Sequence, residues 1–572
     1  MFWRTLLFTL FIIRTSQNKT KSKISMFWRT LLFTSFIIVN KEEVKVALLS
    51  QNLFLCLHHY CSIFPKSTSS EVLFYLNSLF SIEYLCHKKA VFLAIFFWKC
   101  YNIPYGLKKE FIKMQGKYIR DFTKGNISKQ LVTFAWPIFL ANLLQVVYNL
   151  VDMVVVGRTL GKVGVSAVSV GGDITHLLTF IAMGFANAGQ VIIAQYIGSG
   201  QKERISKFIG TMSSFLIVCA LSLSLIGLVF QTTLLKLMNT PPEAFGGASA
   251  YSFVCMAGLI FIYGYNVVSA VLRGMGDSKH PLIFIGIASV INLILDIILV
   301  AYLRLGAMGA AIATVSSQGI SFIISLIFLS KNSSGYGLDV KVNDFLKWNK
   351  DMLSALLKLG IPMAIKSASV MVSKLFVNSF INSYGVAVSA FSGIASKIAS
   401  VANLVSMAMN TAGSTMVGQN IAAKQYQRVT GIMKNIAYIT LTISTVLSVV
   451  IWLFPEAVFG MFTSGNDADV LAIAKNYVPV AVLLFFGASA RAIMNALING
   501  SGHYRINFTT AILDGIVLRI GLALVFGLLL NMEYYGFWLG DALAGFTPFL
   551  IGVVFYVSGR WKNPEGGVLS EK

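Results

Sequence analysis

From residue 128 to residue 559 the chain is a succession of apolar windows, each long enough to cross a bilayer. A helix needs about 20 apolar residues to cross a hydrocarbon core roughly 30 Å thick. Only structures that satisfy every backbone group internally persist there. Twelve spans are predicted, near 130–157, 164–197, 208–235, 248–273, 280–303, 308–330, 353–382, 386–419, 431–455, 470–499, 506–530 and 536–559. The breaks carry turn or charge signals, as in GSGQKER (198–204), RGMGDSKHP (273–281) and NGSGHYR (499–505). Charged residues make up 12% of the chain. A soluble domain carries about 25%, so a water-soluble fold is excluded.

Positive residues sort by side. The segment before the first span, the loops after even-numbered spans and the C-terminal tail carry 21 Lys/Arg, against about 5 in the opposite loops. The excess marks the cytoplasmic side, so both termini are predicted cytoplasmic. The formal net charge is +23, with +10 in residues 1–113 and +13 in residues 114–572. That charge lies mostly in short loops between apolar windows, which argues against nucleic acid as the partner.

The halves of the chain match. AGQVIIAQYI (188–197) pairs with AGSTMVGQNI (412–421) at an offset of 224, Pro137 with Pro362 at 225, and LRGMGD (272–277) with INGSGH (498–503) at 226. Three anchors at nearly one offset argue for parallel repeats of six spans, facing each other across a central cleft. The expected organisation is an N-lobe over 114–335 and a C-lobe over 336–572.

Residues 1–113 read differently. MFWRTLLFTLFII (1–13) recurs as MFWRTLLFTSFII (26–38), a recent duplication rather than a structural repeat. The apolar runs there are too short to span. The expected reading is a poorly ordered extension upstream of a natural start near Met114. The six Cys form no CxxC pair, and Cys56, His58, His59 and Cys61 lack a second ligand pair of sensible spacing. No metal site or disulfide framework is expected.

Two carboxylates stand in the middle of apolar spans: Asp152 in span one and Asp296 in span five. An ionised Asp at the bilayer centre costs roughly 3 kcal/mol on an insertion scale, so two of them argue for use. Asn292 and Asp296 are four apart and share a helix face, and Thr314 lies in the next span. Carboxylate, amide and hydroxyl oxygens suit a hard cation such as Na⁺. They equally suit a proton relay, because a carboxyl taken out of water prefers its neutral form. Asn292 or Thr314 alone would read as ordinary interhelical hydrogen bonding; the set with two carboxylates reads as a coupling site. Pro137, 15 residues before Asp152, removes a backbone hydrogen bond and predicts a kink or hinge.

Other polar groups are weaker candidates. Asp173 and His176 are three apart and read as a simple pair. Asp514 and Arg519 are five apart, a spacing that does not put them on one α-helical face, and Asp541 reads as close to a span end. Lys366, Lys374 and Lys397 bring positive charge to spans seven and eight. They would keep cations out of the second lobe or meet an acidic group of the cargo. Tyr148 and Asn149, next to Asp152, complete the candidate cleft. GRTLGKV (157–163) is one residue short of a phosphate-binding P-loop, and no GxSxG or HExxH is present. Energy would come from an ion gradient, worth about 2.3 kcal/mol per charge per 100 mV.

The region 128–559 resembles the multidrug and toxic compound extrusion (MATE) family. The resemblance is carried by WPIFLANLLQVVYNLVDMVVVG, VIIAQYIGSGQ, LRGMGDSKHP, NLILD, LGAMGAAIATV and TMVGQNIAA in this order. It implies an all-α, twelve-span, two-lobed antiporter that expels organic, often cationic or amphipathic, compounds against H⁺ or Na⁺. It implies an N-lobe cation site at Asp152, Asn292, Asp296 and Thr314. Some relatives bind Na⁺ with acidic residues in spans seven, eight and ten; here those spans offer Lys366, Lys374, Lys397 and Arg491. Ile297 stands where relatives commonly have Pro after the Asp, which leaves the bend of span five open.

The reading is a multi-pass secondary antiporter of the plasma membrane (a bacterial inner membrane). It is expected to be a monomer, with a small-molecule substrate, the lipid bilayer as surroundings and no cofactor beyond H⁺ or Na⁺. The rivals are a lipid-linked saccharide flippase of the same superfamily, a membrane-embedded transferase, and a structural subunit. A flippase would want an Arg-rich cleft and extra terminal spans. A transferase needs an interfacial catalytic cluster that the sequence does not offer. A structural subunit leaves the buried carboxylates unexplained.

Overall fold

A computed structural model describes residues 119–338, 344, 348–460 and 468–563. The N-terminal extension, its duplication and the Cys/His group at 56–61 lie outside the described residues. Among the described residues the regular structure is helical. It comprises α1 Ile127–Gly198, α2 Glu203–Leu237, α3 Pro242–Ala257, α4 Leu259–Gly274, α5 Lys279–Asp296, α6 Gly306–Lys331, α7 Lys350–Asn382 and α8 Val386–Ala422. There follow α9 Tyr426–Leu453, α10 Pro455–Gly460, α11 Ala468–Ser501, α12 Tyr504–Ile512, α13 Leu518–Leu524, α14 Glu533–Ala544 and α15 Thr547–Val557. Among the described residues ten helices are long and apolar enough to cross a membrane, and α3 with α4 makes an eleventh, bent by 50°. That bend, at Gly258, interrupts the single span predicted at 248–273. Apolar side chains such as Leu221, Leu225 and Val229 recur every fourth residue along an exposed face of α2. Such a face suits lipid, not water.

α1 has 72 residues. A straight helix of that length would be about 108 Å long. It is not straight: Gly161 has φ 64° and ψ −163°, a conformation open to glycine and costly for other residues. Both ends of α1 reach the same residue. The Phe122 N–H, just before α1, donates to Gln419 Oε1 at 2.9 Å, and Gly198, its last residue, leaves no room for a Cβ against the Gln419 carbonyl. The chain therefore doubles back at Gly161 into two antiparallel arms. Pro137 sits inside the first arm, and the only break in helical dihedrals within α1 is at Gly161. The kink expected at Pro137 is not formed here as a break.

The apolar cores are shared at one end of the bundle and separate at the other. In one core, Ile192, Met212 and Val271 of the first half pack with Leu356, Leu359 and Met363 of α7. In a second, Phe134 and Ile138 of the first arm of α1 pack with Met416, Ile432 and Ile493 of the second half. Each repeat thus lends its first span to the other. These cores lie at the Lys/Arg-rich end. Towards the other end each half keeps a core of its own, around Tyr251, Met256 and Val300 in the first and around Phe391, Tyr477 and Trp538 in the second.

Polar side chains tie the shared end. Gln190 Nε2 donates to Thr415 Oγ1 at 2.7 Å and to the Thr411 carbonyl at 3.1 Å, while Arg273 Nε donates to Gln190 Oε1 at 2.9 Å. Gln195 Nε2 donates to the Gly500 carbonyl at 3.0 Å. The segment ahead of α1 is strapped across the junction. Gln419 Nε2 donates to the Arg120 carbonyl, Asn420 Nδ2 and Arg428 Nη2 to the Phe122 carbonyl, and the Arg120 N–H to the Met275 carbonyl. Gly184 lets the second arm of α1 meet the backbone of α7 at Ala364, a contact that a Cβ would fill.

Candidate functional site

α5 ends at Asp296, and the chain at once widens into a π-helical turn, Ile297–Tyr302, in which the Leu303 N–H donates to the Ile298 carbonyl at 2.8 Å. Asp296, the last residue before this wide turn, lies on the buried face of α5 with Asn292. Asp296 and Asn292 are buried, as is Asp152 on the first arm of α1. The carboxyls of Asp152 and Asp296 interact directly. Two carboxylate oxygens only accept, so that contact is a hydrogen bond when one of them carries a proton. Apart from it, both oxygens of Asp296, Oδ1 of Asp152 and Nδ2 of Asn292 are buried without a partner among the described residues.

Around this pair, Tyr148 stands within electrostatic reach of Asp152, with Gln145 and Gln318 near its hydroxyl. Gln318, one helical turn beyond Thr314 on α6, is a neighbour that sequence reasoning missed; its i, i+4 spacing from Thr314 was the available signal. Thr314 is half-buried, and its carbonyl accepts from Ser317 Oγ at 2.9 Å. Asn149 is exposed. The structure thus joins Asp152, Asp296 and Asn292, with Tyr148 beside them. Thr314 stands on the adjoining helix, and Asn149 is not drawn in.

The second half carries a different charge cluster. A π-helical turn at Leu513–Val517 joins α12 to α13. In a π-turn the hydrogen bond runs from i to i+5, so residues five apart share a face. Asp514 and Arg519 therefore do pair, contrary to the α-helical expectation: Arg519 Nη2 lies 2.9 Å from Asp514 Oδ1, and both residues are buried. Arg519 Nη1 also binds Asp541. Asp541 is not at a span end either, because α14 and α15 run on as one apolar stretch, Glu533–Val557. Lys374 lines a cavity with Arg491, Arg519 and Asp541. Lys366 stands behind them, its Nζ donating to Asn495 Oδ1 at 2.6 Å. Lys397 is exposed and is not among the residues lining that cavity.

At the Lys/Arg-rich end, Asp277 in the α4–α5 turn is a structural group. It accepts from the N–H groups of Lys279 and His280, from the His280 ring and from Tyr336 Oη at 2.6 Å. Burial alone would raise its affinity for a proton. The bonds from His280 and Tyr336 outweigh that and hold its carboxyl below the usual carboxylate range.

Comparison with known proteins bears on what this frame is for. The sequence profile of the MatE family matches residues 137–298 and again 362–525, one copy in each half. The chain is 29% identical over 442 residues to the probable multidrug resistance protein YpnP of Bacillus subtilis (strain 168), covering 77% of this chain and 97% of that protein. It is 22% identical over 444 residues to the probable multidrug resistance protein NorM of Thermotoga maritima, covering 76% and 94%. Among solved structures, a MATE protein in complex with MaL6 superposes with a TM-score of 0.70 at 22% identity, covering 77% of this chain and 99% of that one. The chain belongs to the MATE family of multi-pass membrane multidrug efflux transporters.

Proposed function

We propose that this transporter is a secondary antiporter that exports organic, cationic or amphipathic compounds in exchange for H⁺ or Na⁺. The ion is taken up at Asp152 and Asp296, with Asn292 and Thr314 as supporting oxygens. One observation carries the reading. Two carboxyls from different helices meet deep in the first half, and among the described residues no ion pair involves either. Two negative charges in contact and away from water demand a counter-charge. An H⁺ shared between them, or a cation held by them with the Asn292 amide oxygen, supplies it.

Reading the two arms of α1 as separate spans, and α3 with α4 as one, supports twelve spans with both termini cytoplasmic. The shared, hydrogen-bonded end is then cytoplasmic, so the cleft here faces outward. Ion uptake removes the charge between Asp152 and Asp296 and lets the first arm of α1 close on α5, which expels the cargo. The outward gate then shuts, the Gln190, Gln195 and Gln419 bonds break, and the ion leaves to the cytoplasm. The energy is that of the gradient, about 2.3 kcal/mol per charge for each 100 mV.

Efflux of rhodamine 6G from vesicles, with pH and Na⁺ gradients imposed separately, tests this. Wild type is expected to respond to one of the two gradients, and Asp296→Asn to neither. Unchanged ion-driven efflux by Asp296→Asn at normal expression overturns the coupling site.

A further inference from the structure

We propose that the cavity between α7, α8, α11, α13 and α14 binds an acid group of the cargo — a carboxylate, sulfonate or phosphate — so that the preferred compounds are zwitterionic or anionic amphiphiles. The proposal deepens the efflux reading and rests on it.

The charges do not balance among themselves. Three cations line the cavity, Lys374, Arg491 and Arg519, with one carboxylate, Asp541; Lys366 and Asp514 stand within electrostatic reach of Arg491. Arg519 takes both carboxylates. Lys366 is bound to an amide oxygen, which carries no charge. Lys374 feels Asp541 and the opposing push of Arg519 and Arg491. Arg491 lines the cavity, and its Nε is buried without a hydrogen-bond partner among the described residues. Arg491 is half-buried, and a guanidinium with an unspent donor keeps hydrogen-bonding capacity for an anion. Its planar fork matches carboxylate and phosphate geometry.

The rest of the lining suits an organic body. Tyr477 and Trp538, whose ring centroids are 5.0 Å apart, form part of the wall and pack on Phe391. Ser392, Ser396 and Asn403 add neutral hydrogen-bonding groups. An amphipathic molecule with one acid group would lay its rings on the aromatic wall and its acid on Arg491 and Lys374. The coupling carboxyls are in the other half, so acidic cargo and coupling ion occupy separate sites and do not compete directly.

The test compares rhodamine B, which has a free carboxylate, with its ethyl ester, which keeps the same ring system without that charge. Binding to the purified full chain in detergent is read by fluorescence polarisation, with no gradient present. Wild type is expected to bind rhodamine B about tenfold or more tightly than the ester. Arg491→Gln with Lys374→Gln is expected to remove that preference while leaving ester affinity within about twofold. Arg491→Lys with Lys374→Arg, which keeps both charges, should retain most of it and controls for folding. Equal or weaker binding of rhodamine B by wild type, no measurable binding of it, or a preference that survives the double Gln variant overturns the proposal. The two readings fail separately. Carboxylate-selective binding without ion-driven efflux sinks the antiport mechanism alone, and ion-driven efflux without carboxylate selectivity sinks the acid site alone.

Discussion

The two halves share a frame but spend their buried charges in opposite ways. In the first half, Asp152 and Asp296 face each other without a cation. In the second, Asp514 and Asp541 clamp Arg519, with Lys374 and Arg491 beside them. A carboxylate already matched by an Arg in low dielectric has its counter-charge permanently in place, and protonation would break the pair. A carboxylate matched only by another carboxylate must recruit a counter-charge from outside. Acidity in a span is therefore no argument for a coupling site by itself; the proposal for Asp152 and Asp296 rests on their being unmet among the described residues.

The sharpest way to break the contrast is to neutralise the unmet pair. Asp152→Asn with Asp296→Asn is expected to reduce ion-driven dye efflux to the vesicle background, with no loss of melting temperature in detergent, since no ion pair is lost. A melting temperature that falls sharply would show the pair to be a structural element instead.

The opposite outcome is expected in the other half. Arg519→Met removes the ion pairs of buried Asp514 and part-buried Asp541 and leaves Lys374 and Arg491 as their nearest cations, so it should cost about 2–3 kcal/mol of stability, read as a drop in melting temperature. Adding Asp514→Asn and Asp541→Asn to Arg519→Met should restore most of it. If the single variant melts like wild type, the cluster is not a pinned ion triad.

A smaller effect is expected at the shared end. Gln419→Ala removes both bonds to the Arg120–Phe122 strap. A loss of about 2 kcal/mol there would speed hydrogen exchange of the Phe122 amide about thirtyfold. Exchange unchanged at that amide would mean that Asn420 and Arg428 hold the strap alone.

The smallest concerns Asp277. A carboxyl held below its ordinary range contributes stability above its unfolded-state range and loses it as pH falls through the folded value. Tyr336→Phe removes one of the bonds that hold it and should cost about 1–2 kcal/mol at pH 7. The gap in melting temperature from wild type should narrow as pH is lowered below the usual carboxylate range. A gap that widens in acid reverses the assigned sign.

The sequence carried a good deal of this. Span length and apolarity marked helices within a few residues of where they lie, because the bilayer imposes one length scale on every crossing. The repeat offset shared by Pro137 and Pro362 was legible too, and the family profile falls on the same two halves. Asp296 with Asn292 was legible because an i, i+4 pair needs only α-helical geometry. Asp514 with Arg519 was not, because the spacing rule assumes an α-helix and the backbone there is a π-turn. Gln195 and Gln419 were visible as repeat anchors, but their work as a latch depends on which carbonyls from the other half arrive beside them.

Whatever depends on local periodicity and on transfer from water was legible along the chain: the spans, their pairing into repeats, the side that carries Lys and Arg, and the high cost of Asp152 and Asp296. Which charges meet was left to the packing of helices against one another. Asp152 and Asp296 are 144 positions apart and Arg519 and Asp541 are 22 apart; one pair is unmatched and the other is an ion pair. The reason is that a side chain's electrostatic fate is set by the few ångströms around it, and those neighbours come from other helices whose rotation and local widening no linear spacing records.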